Sequence, residues 1–369
     1  MPRTSIVRQT PIKRTARVMQ LEGLFEIPPT QRSEVAWTVD LPLEQKLWHI
    51  GLIVGPSGSG KTTVARELFS DAIIHGFDWS SDASIVDDFP REMSIKDVTA
   101  LLSSVGFSSP PSWLRPFHVL SNGEQFRVTV ARALAEGREL TVIDEFTSVV
   151  DRTVAQIGSA AVAKAVRRRK QKLIAVSCHY DIVDWLQPDW IYEPATGEFQ
   201  WRYLQRRPEI RLEIARVHRS AWQLFKHHHY LDTNLHVAAQ CFCAFIDNRP
   251  VAFTGVLSFP HAVRPGWREH RTVCLPDFQG VGIGNAISEF EAALFAAKGV
   301  PYRSTTSNPA MIWHRAKSKV WKMTTSPQKN SAGCSTSRLK GTFASNRLTA
   351  GFEYVGERRP EEARGLNVI

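Results

Sequence analysis

The stretch GPSGSGKT, Gly55 to Thr62, constrains this chain more than any other. It follows the apolar run Ile50 to Val54 and opens KTTVARELF, a segment with helical apolar spacing. The pattern G-x-x-x-x-G-K-[ST] between a strand and a helix lets glycine-rich backbone present successive N–H groups to phosphate oxygens, with the helix N-terminus adding partial positive charge. Gly55, Ser57, Gly58, Gly60, Lys61, Thr62 and Thr63 are therefore the expected phosphate cradle of a nucleotide such as ATP. Lys61 supplies a full charge, and the Thr62 hydroxyl is placed for Mg²⁺. The same context requires an α/β fold.

The surrounding pattern agrees. Strands are expected at Val35 to Val39, at Ile50 to Val54, in LTVID from Leu140 and in KLIAVSC from Lys172. Helices are expected over 94–106, about 122–136 and through TVAQIGSAAVAKAV. Continuous apolar strands alternating with helices predict a parallel sheet covered on both faces. After the hairpin-like WIYEPATGEFQWRYL the pattern changes to strands AAQCFCAFID, PVAFTGVLSF and RTVCL, then the helix AISEFEAALFAAKG. We read a basic lead-in over 1–30, a nucleotide-binding domain over 31–204 and an α+β domain over 205–369, whose tail after about 325 is loop-like with one late strand in TAGFEYVG.

A second acidic element, ELTVIDEF, ends a buried strand with Asp144 and Glu145. There Asp144 would hold Mg²⁺ through water and Glu145 would polarise an attacking water. LSNGE, Leu120 to Glu124, lies twenty residues before that strand; SVVD, Ser148 to Asp151, follows it, and SCH ends in His179. With these motifs, residues 35 to 200 resemble the ABC-type ATPases. The resemblance implies that Ser121 and Gly123 are signature residues, Asp151 the D-loop aspartate, Glu145 catalytic and His179 the switch histidine. It also implies a homodimer with two ATPs sandwiched between one copy's phosphate loop and the other's signature.

Two departures are visible. The loop that carries a glutamine in that family reads SIVDDFP, offering Asp87 and Asp88, which weakens a transporter role. Glu124 replaces the usual signature glutamine. Trp37 reads either as an adenine-stacking side chain or as core.

A second glycine loop, QGVGIGN, Gln279 to Asn285, follows RTVCL. As a dinucleotide fingerprint it fails, because Asn285 stands at the sixth position and no acid follows in VPYRSTTS. It resembles motif A of the GNAT-type acyltransferases, which implies that Gln279, Gly280, Gly282 and Gly284 cradle the pyrophosphate of acetyl-CoA or another acyl-CoA at a helix N-terminus. Asn308, opening a further helix-like stretch, is where that family often has an asparagine. KHHHY, Lys226 to Tyr230, supplies candidate acid–base groups. A histidine–tyrosine pair upstream of such a loop faintly resembles the Mom-type DNA-modifying proteins of phages, which makes His229 and Tyr230 the catalytic candidates there. His228 and Asp277 are added from position alone. Metal binding by the three adjacent histidines ranks low, since they would diverge by about 100° per residue on a helix.

Composition sets the outer limits. With 43% hydrophobic and 22% charged residues the chain reads as a globular protein, and no apolar run approaches the roughly 20 residues of a membrane span. The basic N-terminus lacks the apolar core of a secretory signal. Five cysteines, odd in number and mostly in strand-like runs, suit buried thiols in a cytoplasmic protein, and CFC is too closely spaced for a zinc half-site. A net charge of +10 favours a polyanionic partner. Basic stretches such as RRRK at 167–170, which equally suits a helix C-terminus, lie among scattered tryptophans.

The expected function is an ATPase coupled to an acyl-CoA-dependent transferase acting on nucleic acid. The alternatives are the ATP-binding subunit of a transporter with a separate membrane partner, and a repair or regulatory ATPase whose second domain only binds.

Overall fold

A computed structural model describes residues 4–229, 233–329 and 348–369. In chain order the elements are β1 (Thr4–Pro11), α1 (Ala16–Leu24), β2 (Arg32–Val39), β3 (Ile50–Val54), α2 (Lys61–Phe69), α3 (Ile95–Ser104), α4 (Pro110–Trp113), α5 (Asn122–Ala135), β4 (Leu140–Ile143) and α6 (Arg152–Arg169). There follow β5 (Lys172–Ser177), α7 (Val183–Leu186), β6 (Trp190–Glu193), β7 (Glu198–Trp201), β8 (Glu213–Val217), β9 (Gln240–Ile246), β10 (Arg249–Phe259) and β11 (Gly266–Cys274). The last are α8 (Ile283–Ala296), β12 (Tyr302–Thr306), α9 (Pro309–Lys317), β13 (Trp321–Lys329), β14 (Leu348–Tyr354) and α10 (Pro360–Gly365). Among the described residues no helix is long and apolar enough to cross a membrane.

The chain forms two compact units that do not follow chain order. One contains Met1–Phe77, Glu136–Val150 and Ala163–Arg207; the other contains Asp78–Ala135, Asp151–Val162 and Pro208–Ile369.

The first unit is built on a five-stranded sheet in the order β4-β5-β3-β6-β7, parallel except for the β6–β7 hairpin. All five residues of β3 are buried, as a central parallel strand requires. Parallel pairing brings the C-terminal ends of β3, β4 and β5 to one edge, in register Val54↔Ser177 and Ile143↔Ala175. The motifs that follow these three strands therefore share that edge. Ile53, Val64, Val142, Ile174 and Trp190 belong to one core cluster. The lead-in expected at 1–30 contains β1, which pairs antiparallel with β2 from Thr4↔Val39 to Pro11↔Arg32.

The second unit contains a seven-stranded sheet in the order β13-β14-β12-β11-β10-β9-β8. Its neighbours are antiparallel except β11 and β12, which are joined through α8 and pair only at Trp267↔Tyr302 and Arg268↔Arg303. Cys241, Phe242 and Cys243 on β9 are all buried, so both faces of that strand are covered. Burial pushes the Cys241 thiol up to about 11 and that of Cys243 to about 12, which makes them inert thiols. The tail expected to be loop-like after about 325 continues as β13 to Lys329.

Candidate functional site

The phosphate loop turns between β3 and α2 with Gly58 at φ +81° and Gly60 at φ +92°, conformations that favour glycine. Gly60 also lies under Trp37: a Cβ there would fall 2.3 Å from the indole ring. The indole nitrogen donates to the Ser59 carbonyl at 2.9 Å. Trp37 thus braces the loop backbone while its body packs against the core cluster of the first unit. Lys61 donates to the Pro56 carbonyl at 2.8 Å, folding back along the loop it is expected to complete.

Thr62 and Asp144 come from separate elements and meet, the hydroxyl donating to the carboxylate at 3.2 Å. Asp144 also accepts from the Glu145 amide at 2.9 Å. Glu145 is exposed and sits at φ +53°, with Thr147 at φ +67°. Left-handed conformations are uncommon for such residues, and clustering of two beside the expected catalytic carboxylate is the kind of local strain that functional sites store. The Glu145 carbonyl accepts from the Ser148 hydroxyl at 2.8 Å, which helps hold the turn. His179 follows β5, its amide donating to the Ser177 hydroxyl at 3.1 Å. Next to it the exposed Tyr180 hydroxyl donates to Glu193, which pushes the phenol up to about 12.

Replacing Gly60 with alanine would drive a methyl into the Trp37 ring at a strained φ. Gly60→Ala is expected to weaken binding of a fluorescent ATP analogue by at least about tenfold, whereas Trp37→Phe, which removes the hydrogen bond to Ser59 and narrows the ring over Gly60, is expected to cost about 1 kcal/mol of binding or less. Unchanged affinity in Gly60→Ala would show that Trp37 does not shape the loop.

In the second unit, Ser121 caps α5. Its hydroxyl accepts from the Glu124 amide at 3.3 Å and donates to the Glu124 carboxylate at 3.1 Å, while the Ser121 amide donates to that carboxylate at 3.0 Å. This is a capping box, and it explains why glutamate serves at 124: it also accepts from the Ser112 hydroxyl at 2.7 Å. The pattern S-x-x-E could have revealed the cap from sequence. Asp151 likewise caps α6, accepting from the Thr153 amide at 3.0 Å. Asp88 accepts from the Ser80 hydroxyl at 2.7 Å and Asp87 from that of Ser84 at 3.0 Å, so both aspartates stabilise local turns.

The second glycine loop lies between β11 and α8 as expected. Gly282 is the residue before α8, at φ +101° with open space where a Cβ would stand. Gly284 is in the first turn, near Cys274. The Gln279 side chain, in contrast, is half-buried against neighbouring backbone, and the side-chain direction of the exposed Gly280 is blocked. The Gln279 side chain accepts from the Ser108 amide at 2.6 Å and donates to the Cys274 carbonyl at 2.8 Å. A Cβ on Gly280 would fall 2.7 Å from the Cα of Gly106.

Asp277 lies beside Gly123, and burial raises its carboxyl against the opposing pull of Arg127. Arg127 had no signal in the sequence. It is fully buried, donates to the carbonyls of Pro276 and Asp277, and burial lowers it to about 10. His228 is lowered by burial, which outweighs the attraction of Glu124 and Asp277. His229 is buried edge-on to Trp222 at 5.7 Å between ring centres. Tyr230 lies outside the described residues. Among the described residues no cluster of three or more His, Cys, Asp or Glu is placed to hold a metal ion. Asn308 caps α9, accepting from the amides of Ala310 and Met311.

No family model matches the chain. Over 118 residues it is 25% identical to the ribosome protection protein VmlR of Bacillus subtilis (strain 168), covering 27% of this chain and 21% of that protein's length. Over 219 residues it is 24% identical to the energy-coupling factor transporter ATP-binding protein EcfA1 of Geobacillus kaustophilus (strain HTA426), covering 49% of this chain and 76% of that protein. Among solved structures, the dimeric ATP-binding cassette MJ0796 bound to ADP and Pi is similar with 14% identity and a TM-score of 0.35, covering 46% of this chain and 90% of that one. The similarity to EcfA1 supports an ABC-type ATPase domain in this chain.

Proposed function

We propose that this chain binds and hydrolyses ATP as an ABC-type ATPase, two copies enclosing the nucleotide. The meeting of Thr62 with Asp144 at 3.2 Å, next to the phosphate loop and to a strained Glu145, carries this reading. A hydroxyl and a carboxylate brought together from two elements fit Mg²⁺, which prefers oxygen ligands and keeps much of its water. Bound with ATP, the ion supplies neutralisation of phosphate charge. The rest falls to the chain: Lys61 and the loop amides bind phosphate, Glu145 accepts the proton of the attacking water, His179 stands at the same sheet edge, and Ser121 and Gly123 serve the partner copy's nucleotide. Phosphate release tests this. Wild-type protein with MgATP is expected to turn over and Lys61→Ala to fall to background; no turnover by either would refute the reading.

A second activity is favoured by the seven-stranded sheet. β11 and β12 are parallel, pair only near their starts and are joined by α8, and open sheets bind ligands outside the C-terminal ends of such strands, at helix N-termini. We propose that Gly282 and Gly284, with the amides of the first α8 turn, take the pyrophosphate of an acyl-CoA in a GNAT-like arrangement. The two relatives' names point to a transporter in one case and to the ribosome in the other. A net charge of +10 supports a nucleic acid acceptor over an uncharged one. Calorimetric titration with acetyl-CoA is expected to show binding heat, and none at about 1 mM ligand would exclude the transferase.

A further inference from the structure

The segment 275–281 does more than join β11 to α8. Arg127, four residues past Gly123 on α5, is buried at 0% exposure and donates from both terminal nitrogens to the carbonyls of Pro276 and Asp277. Gln279 accepts from the Ser108 amide at 2.6 Å, in the turn after α3. The remaining contact is too close for side chains on either side. A Cβ on Gly280 would meet the Cα of Gly106 at 2.7 Å and the Cβ of Ala161 at 2.8 Å; one on Gly106 would meet the Gln279 carbonyl at 2.8 Å; one on Gly123 would meet the Asp277 carboxylate at 2.3 Å. Three glycines, one buried guanidinium and one part-buried side-chain amide thus fix the same seven-residue segment to α5, α6 and the turn after α3.

Resting on the ATPase reading above, we infer that residues 275–281 are a positioning strap: they set the orientation in which α5 presents Ser121 and Gly123, with Arg127, Gln279, Gly106 and Gly280 as positioning residues. The strap is separate in sequence from the phosphate loop, Asp144 and Glu145. It is continuous with the first turn of α8, so a nucleotide-driven shift of α5 must carry that turn with it. Gln279 and Gly280 are committed to this contact, which leaves Gly282 and Gly284 as the part of the loop that faces ligand.

The test is Gly280→Ala in the full chain, a methyl wedge between strap and helices. It separates two readouts that a general loss of folding would move together. Affinity for a fluorescent ATP analogue at the phosphate loop is expected to stay within about twofold of wild type, while kcat for ATP hydrolysis falls by about tenfold or more, the scale of remote misplacement of a catalytic group. A folded Gly280→Ala protein with wild-type kcat would overturn the strap, as would equal losses in affinity and kcat. Should that variant fail to fold, Gln279→Leu, which removes only the Ser108 and Cys274 hydrogen bonds, carries the same expected split, and an unchanged kcat there overturns the proposal. Absence of hydrolysis in wild-type protein would instead refute the ATPase reading itself.

Discussion

Glu145→Gln is expected to lower the rate of ATP hydrolysis by about 10² to 10⁴, the range for loss of a positioned general base, without weakening nucleotide binding. The substitution keeps size and hydrogen-bonding capacity and removes only the proton-accepting charge. Glu145 is exposed beyond the end of β4, so the loss is chemical rather than a loss of core packing. The turn that holds it at φ +53° rests on backbone and on the Ser148 hydroxyl, which the amide side chain does not disturb. Rapid-quench measurement of phosphate formation together with an ATP-binding isotherm checks both halves. A variant with wild-type turnover would assign the base elsewhere.

The other large effect concerns stability. Between β11, β12, α8 and α9 the Arg315 side chain, 1% exposed, pairs with Glu269, 8% exposed, at 3.0 Å. Glu269 also accepts from Thr272, Ser288 and Ser304, and the Trp321 ring lies 4.4 Å from the guanidinium. Removing one partner strands a buried charge. Arg315→Met is expected to destabilise the folded state by roughly 3–5 kcal/mol in urea unfolding, and adding Glu269→Met to recover much of the loss. A loss under about 1 kcal/mol would show that the pair is not desolvated in solution.

The pH dependence has a defined sign. Burial alone would raise Glu269, but Arg315 and the Ser304, Thr272 and Ser288 hydroxyls outweigh it and hold the carboxyl below the usual range. A carboxylate lowered on folding contributes stability above its unfolded pKa and loses it as pH falls through the folded value. The gap between wild type and Arg315→Met is therefore expected to narrow as pH drops below about 4. Glu291, raised by burial, has the opposite sign: its contribution is present at low pH and is lost as pH rises through its folded value. Arg315 draws Glu291 down, so its removal raises that carboxyl further and costs stability only as pH rises, which adds to the narrowing at low pH.

What could be read from the sequence follows from how local each signal is. The phosphate loop, β3 and α2 are a contiguous pattern, and α2 spans the KTTVARELF segment from end to end. The strand β12 escaped because its inward residues include Ser304 and Thr306, and the burial of Ser304 is matched by Glu269 on β11, 35 residues earlier, and by Arg315. The end of β13 escaped because TTSPQK has no apolar alternation; as the last strand of its sheet it tolerates Pro327. Gln279 and Gly280 fit a ligand loop in sequence, and only the approach of Gly106 and Ala161 reveals what those residues touch. Arg127 illustrates the limit most plainly, since its partner carbonyls lie 149 and 150 residues away.

The proposed ATPase requires two copies of this chain to close on ATP. Light scattering of purified Glu145→Gln protein, with and without saturating MgATP, tests it most directly. A shift from one chain mass to two on adding ATP, absent with ADP, is the predicted result, and a protein that stays at one chain mass with ATP bound would contradict it.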